Sequence, residues 1–227
     1  MNTGRVRFSM ARLAAATGLW LLAGCGSGDD GLENKNPGTN DLNVVVAFGD
    51  SITQGGECSC APYPARLAGM IGKVVYNAGI GGSQAVDSVG RTQSVIDRFH
   101  PAFLFILYGV NDVIHGDGVD NALGALGRMV DVCRQNSVVP VLMTYPPPIA
   151  GHRAFTANTR RLNRGIVALA KTAGVRCVDL EREFATGEKD PAVPEWTVPD
   201  PAFFEPDGLH PNDAGTQLIA LACADQF

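Results

Sequence analysis

Two short segments of the sequence carry residue types that can act together as a nucleophile and a base. Ser51 lies in Gly-Asp-Ser, and His210 lies in Asp-Gly-Leu-His-Pro. A serine hydroxyl becomes a nucleophile when a base takes its proton, and histidine suits this role because it is mostly neutral near pH 7. Asp207 stands three residues before His210, close enough to hold the other ring nitrogen. These residues predict a catalytic triad of Ser51 as nucleophile, His210 as base and Asp207 as its orienting acid.

Two more segments complete a set of four. Residues 77–82 read Asn-Ala-Gly-Ile-Gly-Gly, and residues 109–112 read Gly-Val-Asn-Asp. Taken singly, each of the four segments also fits an ordinary turn or a helix cap. Their order along the chain, and their places relative to the strands, carry the functional argument.

Short apolar runs alternate with longer helix-like segments from Leu42 onward, and this alternation must position the four segments. The candidate strands, rich in Val, Ile, Leu and Phe as expected for burial on both faces, are Val44–Phe48, Val74–Tyr76, Phe103–Tyr108, Val138–Met143 and Val175–Val178. The predicted helices span about 62–71, 84–98, 119–136, 156–173 and 212–224, the last with Asn212 as its N-cap. This order predicts a three-layer α/β/α, flavodoxin-like domain with a five-stranded parallel sheet. Ligands bind such sheets beyond the carboxyl ends of the strands, where the segments fall.

Together the four segments resemble the SGNH (GDSL-type) hydrolase family, which is named for a serine, a glycine, an asparagine and a histidine. The matching residues are Ser51, Gly82, Asn111 and His210, and the resemblance covers essentially the whole folded region. It implies a serine hydrolase whose oxyanion is bound by the backbone N–H groups of Ser51 and Gly82 and by the side-chain amide of Asn111. No metal and no cofactor are predicted.

Several neighbouring residues could in principle fill similar roles. Gly79, Gly81 and Gly82 share one turn, and Gly82 is selected from its place in the motif. Asp50 and Asp112 are predicted to cap or brace loops and to take no part in the chemistry.

Three other histidines are rival bases, but each is placed in a loop or at an element junction: His100, His115 and His152. The sequence lacks the Gly-x-Ser-x-Gly elbow of α/β-hydrolases. Position 84 is glutamine where a dinucleotide-binding fingerprint needs glycine.

The N-terminus predicts a secretion signal. Three arginines precede an apolar stretch from Leu13 to Ala23, which is too short for a stable transmembrane helix. An uncleaved N-terminal membrane anchor is the alternative. The Leu-Ala-Gly-Cys segment ending at Cys25 resembles a bacterial lipobox, in which the cysteine becomes the lipidated first residue.

These features predict a signal peptide over residues 1–24, a lipidated Cys25 with a flexible tether over residues 25–41, and a hydrolase domain over residues 42–227. The resemblance associates aspartate after the lipidated cysteine with inner-membrane retention, whereas this chain has Gly26. We therefore expect a bacterial cell-envelope protein anchored in a membrane by lipid, with the outer membrane favoured.

Composition and cysteines limit the remaining function classes. A formal charge of −5 and a pI near 5.3 argue against nucleic-acid binding, which needs a basic surface. The cysteines after Cys25 are odd in number, and their pairing is left open. Cys133 and Cys177 are expected to be buried apolar residues, and Cys58 and Cys60 lie in a loop without a partner pair at metal-ligand spacing.

The predicted function is hydrolysis of a small carboxylic ester through an acyl-serine intermediate. A carbohydrate O-acetylesterase acting on cell-envelope glycans is the alternative enzyme. A surface lipoprotein that binds acylated ligands without turnover is the alternative outside enzymes.

Overall fold

A five-stranded parallel sheet forms the centre of the computed structural model, which describes residues 35–227. Its strands are β1 (Asp41–Gly49), β2 (Val74–Asn77), β3 (Pro101–Leu107), β4 (Val139–Met143) and β5 (Arg176–Val178), in the order β2-β1-β3-β4-β5. All four pairings are parallel, which confirms the predicted sheet. The signal segment and Cys25 lie outside the described residues.

Helices pack against this sheet in two groups. The described helices are α1 (Ser51–Gln54), α2 (Tyr63–Ile71), α3 (Ala85–Phe99), α4 (Val110–His115), α5 (Val119–Gln135), α6 (Thr156–Ala173), α7 (Leu180–Glu183) and α8 (Asp213–Ala224). Helices α3, α5 and α6 are neighbours, and α2 packs with α8. The five longer helices match the predicted ones, and the side chain of Asn212 caps α8 by accepting the N–H of Gly215 at 3.0 Å. Within residues 35–227, no helix combines the length and apolarity needed to cross a bilayer.

The structure adds elements that the sequence pattern did not predict. Helices α1, α4 and α7 have six residues or fewer, too short to show a helical period. Strands β6 (Ala185–Lys189) and β7 (Thr197–Pro199) form an antiparallel hairpin outside the main sheet. Strand β6 is largely exposed and polar, so it lacks the apolar alternation of a half-buried strand.

The folded region begins slightly earlier than predicted. The side-chain amide of Asn40 donates to the backbone carbonyls of Asn136 and Ser137 at 2.9 and 3.1 Å. The N–H of Asp41 donates to the carbonyl of His100 at 3.0 Å. The last two residues of the predicted tether therefore belong to the domain.

The apolar core lies in the central strands, and its packing fixes where β1 and β3 end at the carboxyl edge of the sheet. In β1 and β3 the runs Val45–Phe48 and Leu104–Leu107 are fully buried, and each large apolar side chain contributes roughly 1.5–3 kcal/mol. Gly49 pairs with Leu107 at the carboxyl edge. A Cβ on Gly49 would lie 2.2 Å from Thr53 Oγ1 and 2.6 Å from the Leu107 carbonyl. Only glycine therefore lets α1 begin directly against the end of β3.

We expect Gly49→Ala to destabilise the fold by about 1–3 kcal/mol or more, because its methyl group meets a backbone oxygen that cannot yield. The matched control is Gly69→Ala in α2, where a Cβ would meet no atom within 4 Å. That change should raise stability by about 0.5–1 kcal/mol through helix propensity. Urea unfolding of both variants makes the comparison. A Gly49→Ala protein as stable as the wild type would contradict the close-approach argument.

Candidate active site

Ser51 lies where β1 turns into α1. Asp50 is the N-cap of this short helix, and its Oδ1 accepts the N–H of Ile52 at 3.0 Å. The N–H groups of Gly55 and Gly56 both donate to the Ser51 carbonyl at 2.9 Å. The backbone of Ser51 is thus held on both sides, and its half-buried hydroxyl emerges at the carboxyl edge of the sheet.

The structure brings the three predicted triad residues together. Ser51 Oγ lies 2.8 Å from His210 Nε2, and His210 Nδ1 lies 2.5 Å from Asp207 Oδ2. The other oxygen, Asp207 Oδ1, accepts the backbone N–H groups of Leu209 and His210 at 3.0 and 3.1 Å. One carboxylate therefore holds both the ring and the backbone of the histidine.

Asp207 remains charged in this environment. Burial raises its pKa, but the hydrogen bonds from the Leu209 N–H and from the ring and N–H of His210 outweigh burial. The net pKa of Asp207 lies below its ordinary value. A charged Asp207 can fix the imidazole tautomer and stabilise a protonated ring beside it.

The segment that carries Asp207 and His210 is a closed turn. The Glu205 N–H donates to the His210 carbonyl at 2.8 Å, and the Gly208 N–H donates to the Glu205 carbonyl at 2.9 Å. Gly208 has a φ of +74°, and a Cβ there would lie 2.3 Å from the Ile149 carbonyl oxygen. The turn therefore needs glycine for both its dihedral and its packing.

The glycine turn distinguishes Gly82 from its neighbours on physical grounds. The Gly79 N–H donates to Asn77 Oδ1 at 3.0 Å, and the Gly81 N–H donates to Gln54 Oε1 at 2.8 Å. The Gly82 N–H has no acceptor among residues 35–227. Of the three glycine N–H groups, that of Gly82 is therefore the one left free to bind a ligand. The motif selected the same residue, but without this physical reason.

Asn111 links the glycine turn to α4. It is 7% exposed, and its Nδ2 donates one hydrogen to the Ser83 carbonyl at 3.0 Å. The amide carries a second hydrogen, for which the described part of the chain offers no acceptor. The Ser51 N–H, in the first turn of α1, likewise lacks an acceptor among the described residues.

The two neighbouring aspartates cap or brace the starts of helices, as predicted. Asp112 accepts the N–H groups of Ala85 and Val86 at 2.7 and 3.1 Å, which holds the start of α3. Asp50 caps α1 and also accepts the hydroxyl of Tyr145 at 2.6 Å. The contact with Tyr145 was not predicted, because an aromatic residue in a Pro-rich loop gives no signal of its partner.

The rival histidines occupy other positions. His100 ends α3 in the left-handed region, and His115 is exposed at the end of α4. His152 Nδ1 lies 2.9 Å from the backbone carbonyl of Asp207. The sequence did not indicate this contact with the turn over residues 205–210, here called the base-carrying turn. The Ser51 hydroxyl pairs with His210 instead.

The cysteines divide into one bridge and three buried residues. Cys58 and Cys60 form a disulfide in the loop between α1 and α2, a pairing that the sequence left open. Cys133, Cys177 and Cys223 are buried, as expected for Cys133 and Cys177. Burial raises the pKa of the Cys133 thiol to about 12, so this thiol is unreactive. In the described ranges, no group of three or more His, Cys, Asp and Glu side chains is arranged to hold a metal ion.

Two solved structures illustrate how widely this fold is shared. The structure is similar to a GDSL-like lipase from Bacteroides thetaiotaomicron, with a TM-score of 0.65 and 20% identity over 81% of this chain and 87% of the other. It is also similar to a catalytic mutant of Axe2, an acetylxylan esterase from Geobacillus stearothermophilus. That TM-score is 0.64, at 20% identity over 81% of this chain and 93% of the other.

A relative in sequence is the uncharacterized lipoprotein YqeF of Bacillus subtilis, which is 32% identical over 122 residues. The match spans 48% of this chain and 50% of that protein, about half the length of each. The model of the GDSL-like lipase/acylhydrolase family matches residues 47–218 of the 227. This range includes all four motif segments, and the chain belongs to the GDSL-like lipase/acylhydrolase family.

Proposed function

We propose that the protein hydrolyses carboxylic esters, with Ser51 as nucleophile, His210 as general base and acid, and Asp207 as the group that orients the histidine. The observation that carries this proposal is the continuous hydrogen-bonded chain of the three side chains, with separations of 2.8 and 2.5 Å. Mere binding of an acylated ligand does not require such a chain, so it favours an enzyme over a binding lipoprotein.

The geometry supports a two-step acyl transfer. Ser51 Oγ attacks the ester carbonyl carbon as its proton passes to His210 Nε2, and the carbonyl electron pair moves to oxygen. Collapse of the tetrahedral intermediate breaks the carbon–oxygen bond to the leaving alcohol, which takes the proton from the imidazolium. Water then attacks the acyl-serine by the same route and releases the acid and free Ser51.

The developing oxyanion has three candidate donors at this edge of the sheet. They are the N–H groups of Ser51 and Gly82 and the second amide hydrogen of Asn111, each without an acceptor among the described residues. Donors already fixed by the fold stabilise charge in the transition state without reorganising. The Asn111 amide is fixed in this way by its bond to the Ser83 carbonyl.

The proposed substrate is a small acyl ester. An acetylated carbohydrate is the second candidate, and the fold's likeness to the acetylxylan esterase Axe2 supports it. We further propose that the mature protein is held at a bacterial envelope membrane through a lipidated Cys25, with the outer membrane favoured. The name of the relative YqeF, a lipoprotein, supports this location.

The triad should fail as a unit. We expect Ser51→Ala and His210→Ala each to lower kcat by about 10⁴-fold or more, and the double variant to lose little beyond either single one, since each change already disables the nucleophile. Asp207→Asn should cost less, because nucleophile and base remain. Turnover of a short-chain chromogenic ester measures all four, with Ser94→Ala, an exposed serine in α3, as the control. Multiplicative losses at Ser51 and His210 would show that they do not act together.

The proposed oxyanion donor Asn111 has its own signature. Asn111→Ala should lower kcat by about 10²–10³-fold with little change in KM, because the lost bond forms fully only in the transition state. Asn121→Ala is the matched control, since Asn121 also donates its amide to a backbone carbonyl but lies exposed on α5. A variant at Asn111 that loses only apparent affinity would assign it to ground-state binding.

The anchor is tested at Cys25. Replacement of Cys25 by Ser should release the protein from membranes or leave it unprocessed, because the lipid attachment site is gone. Fractionation of cells that produce the wild type and the variant measures the distribution, with Ser51→Ala as a control that leaves the N-terminus intact. Mass spectrometry that finds an unmodified Cys25 in the mature wild type would overturn the lipoprotein proposal.

A further inference from the structure

A fully buried carboxylate lies directly behind the candidate nucleophile. Asp50 and Tyr145 are both 0% exposed, and the Tyr145 hydroxyl donates to Asp50 Oδ2 at 2.6 Å. The other oxygen of Asp50 accepts the Ile52 N–H at 3.0 Å. One side chain therefore joins the loop after β4 to the first turn of α1, the helix that begins at Ser51.

Tyr145 is itself held by a second pair of hydrogen bonds. Its N–H donates to Asn163 Oδ1 at 2.8 Å, and Asn163 Nδ2 donates back to its carbonyl at 2.7 Å. The same Nδ2 reaches Glu181 Oε2 at 2.8 Å. Because Asn163 lies in α6 and is 2% exposed, the backbone of Tyr145 is fixed by the body of the fold and not by its own loop alone.

The chain of polar contacts ends at the hairpin of β6 and β7. Glu181 Oε1 pairs with Arg160 at 2.5 Å, and Arg160 donates to the Thr197 carbonyl at 2.6 Å. The Arg160 guanidinium lies 4.7 Å from the centre of the Trp196 ring. These contacts tie the backbone of Tyr145 to the hairpin through Asn163, Glu181 and Arg160.

We propose that Tyr145 is a positioning residue for the nucleophile: by donating to Asp50 it holds the charged cap of α1 in place beneath Ser51. This inference rests on the proposed ester hydrolysis, and it assigns no contact with the substrate to Tyr145. A misplaced cap would shift Ser51 Oγ relative to His210 Nε2, which lies 2.8 Å away. Errors of about 1 Å at a reacting atom are costly for the rate.

The charges around Asp50 give the proposal a pH signature. Burial raises the pKa of Asp50 to about 6, while the hydrogen bonds from Tyr145 and Ile52 and the charge of His210 lower it and the charge of Asp112 raises it. Tyr63, on α2, is a further ionisable group close enough to interact with Asp50. Burial raises the pKa of Tyr145 well above its usual range, so the phenol remains a donor.

The sign of the expected change follows from these contacts. Loss of the Tyr145 hydrogen bond removes an interaction that favours the charged form, so the pKa of Asp50 must rise further. A larger share of Asp50 is then neutral just below neutral pH. A neutral cap accepts the Ile52 N–H less strongly, so Ser51 is held less firmly. As the solution is acidified, activity should therefore fall at a higher pH than in the wild type.

The experiment compares Tyr145→Phe with Tyr63→Phe in the full chain. Tyr63 is also fully buried, but its hydroxyl contacts Thr53 Oγ1 at 3.2 Å and not Asp50. Hydrolysis of a short-chain chromogenic ester is followed from about pH 5 to about pH 8. Tyr145→Phe should lower kcat about 3- to 10-fold near neutrality, with KM nearly unchanged, and should move the acid limb to higher pH. Tyr63→Phe should keep the wild-type limb.

A double-variant cycle tests whether the effect passes through Asp50. In an Asp50→Asn background, Tyr145→Phe should cost little more, and the acid limb should no longer move. Multiplicative losses, or a Tyr145→Phe profile identical to that of Tyr63→Phe, would overturn the proposal. If Tyr145→Phe fails to fold, Asn163→Ala, which frees the Tyr145 backbone, takes its place and should move the limb in the same direction. An unmoved limb would then overturn the proposal.

A second readout does not depend on turnover. The carboxyl carbon-13 chemical shift of Asp50 should titrate at a higher pH in Tyr145→Phe than in the wild type or Tyr63→Phe, and an equal midpoint in all three would overturn the proposal. Wild-type protein without Ser51-dependent hydrolysis would instead overturn the proposed function. Hydrolysis that depends on Ser51 but is indifferent to Tyr145 would overturn the positioning role alone.

Discussion

The close approach of two backbones at Gly49 is the constraint on which the site depends. Strand β1 must end in register with β3, and the chain must turn at once into α1 with no room for a Cβ. This contact places Ser51 at the carboxyl edge of a sheet whose central residues are fully buried. The position of the hydroxyl is therefore set by the densest part of the core, since packed interiors do not deform continuously.

The same turn contains a group that opposes stability. The pKa of Asp50 in the folded chain is about 6, above the value of roughly 3.9 in an unfolded one. The folded state thus binds more protons between these values. Its relative stability is greatest below the lower value and is lost as pH rises through about 6. A charge kept at this cost beneath the nucleophile is easier to explain by the geometry it imposes than by the stability of the fold.

Sequence patterns predicted the parts of the molecule that show local signals. The five strands are continuous apolar runs, and Asn212 is a good N-cap, so both were found. Residue types, together with the order of the four segments and their places after the strands, also selected Ser51, Asp207 and His210, which the fold then brings within hydrogen-bond distance. Short α1 and the polar strand β6 have no period to detect. The contacts of Tyr145 and His152 join residues that are distant in sequence, and no spacing rule reports such pairs.

The base-carrying turn has no regular secondary structure, yet it is tied to rigid elements on two sides. The Ile149 N–H donates to the Gly208 carbonyl at 2.8 Å, which joins the turn to the loop after β4. On the other side α8 follows the turn directly, and Arg66 of α2 donates to Gln217 of α8 at 2.9 Å. The loop after β4 also carries Tyr145, which holds the cap of α1. The loop after β4 therefore supports both the helix that begins at Ser51 and the turn that carries His210. Because both are attached to the same loop, the distance between the two side chains does not depend on two independently mobile segments.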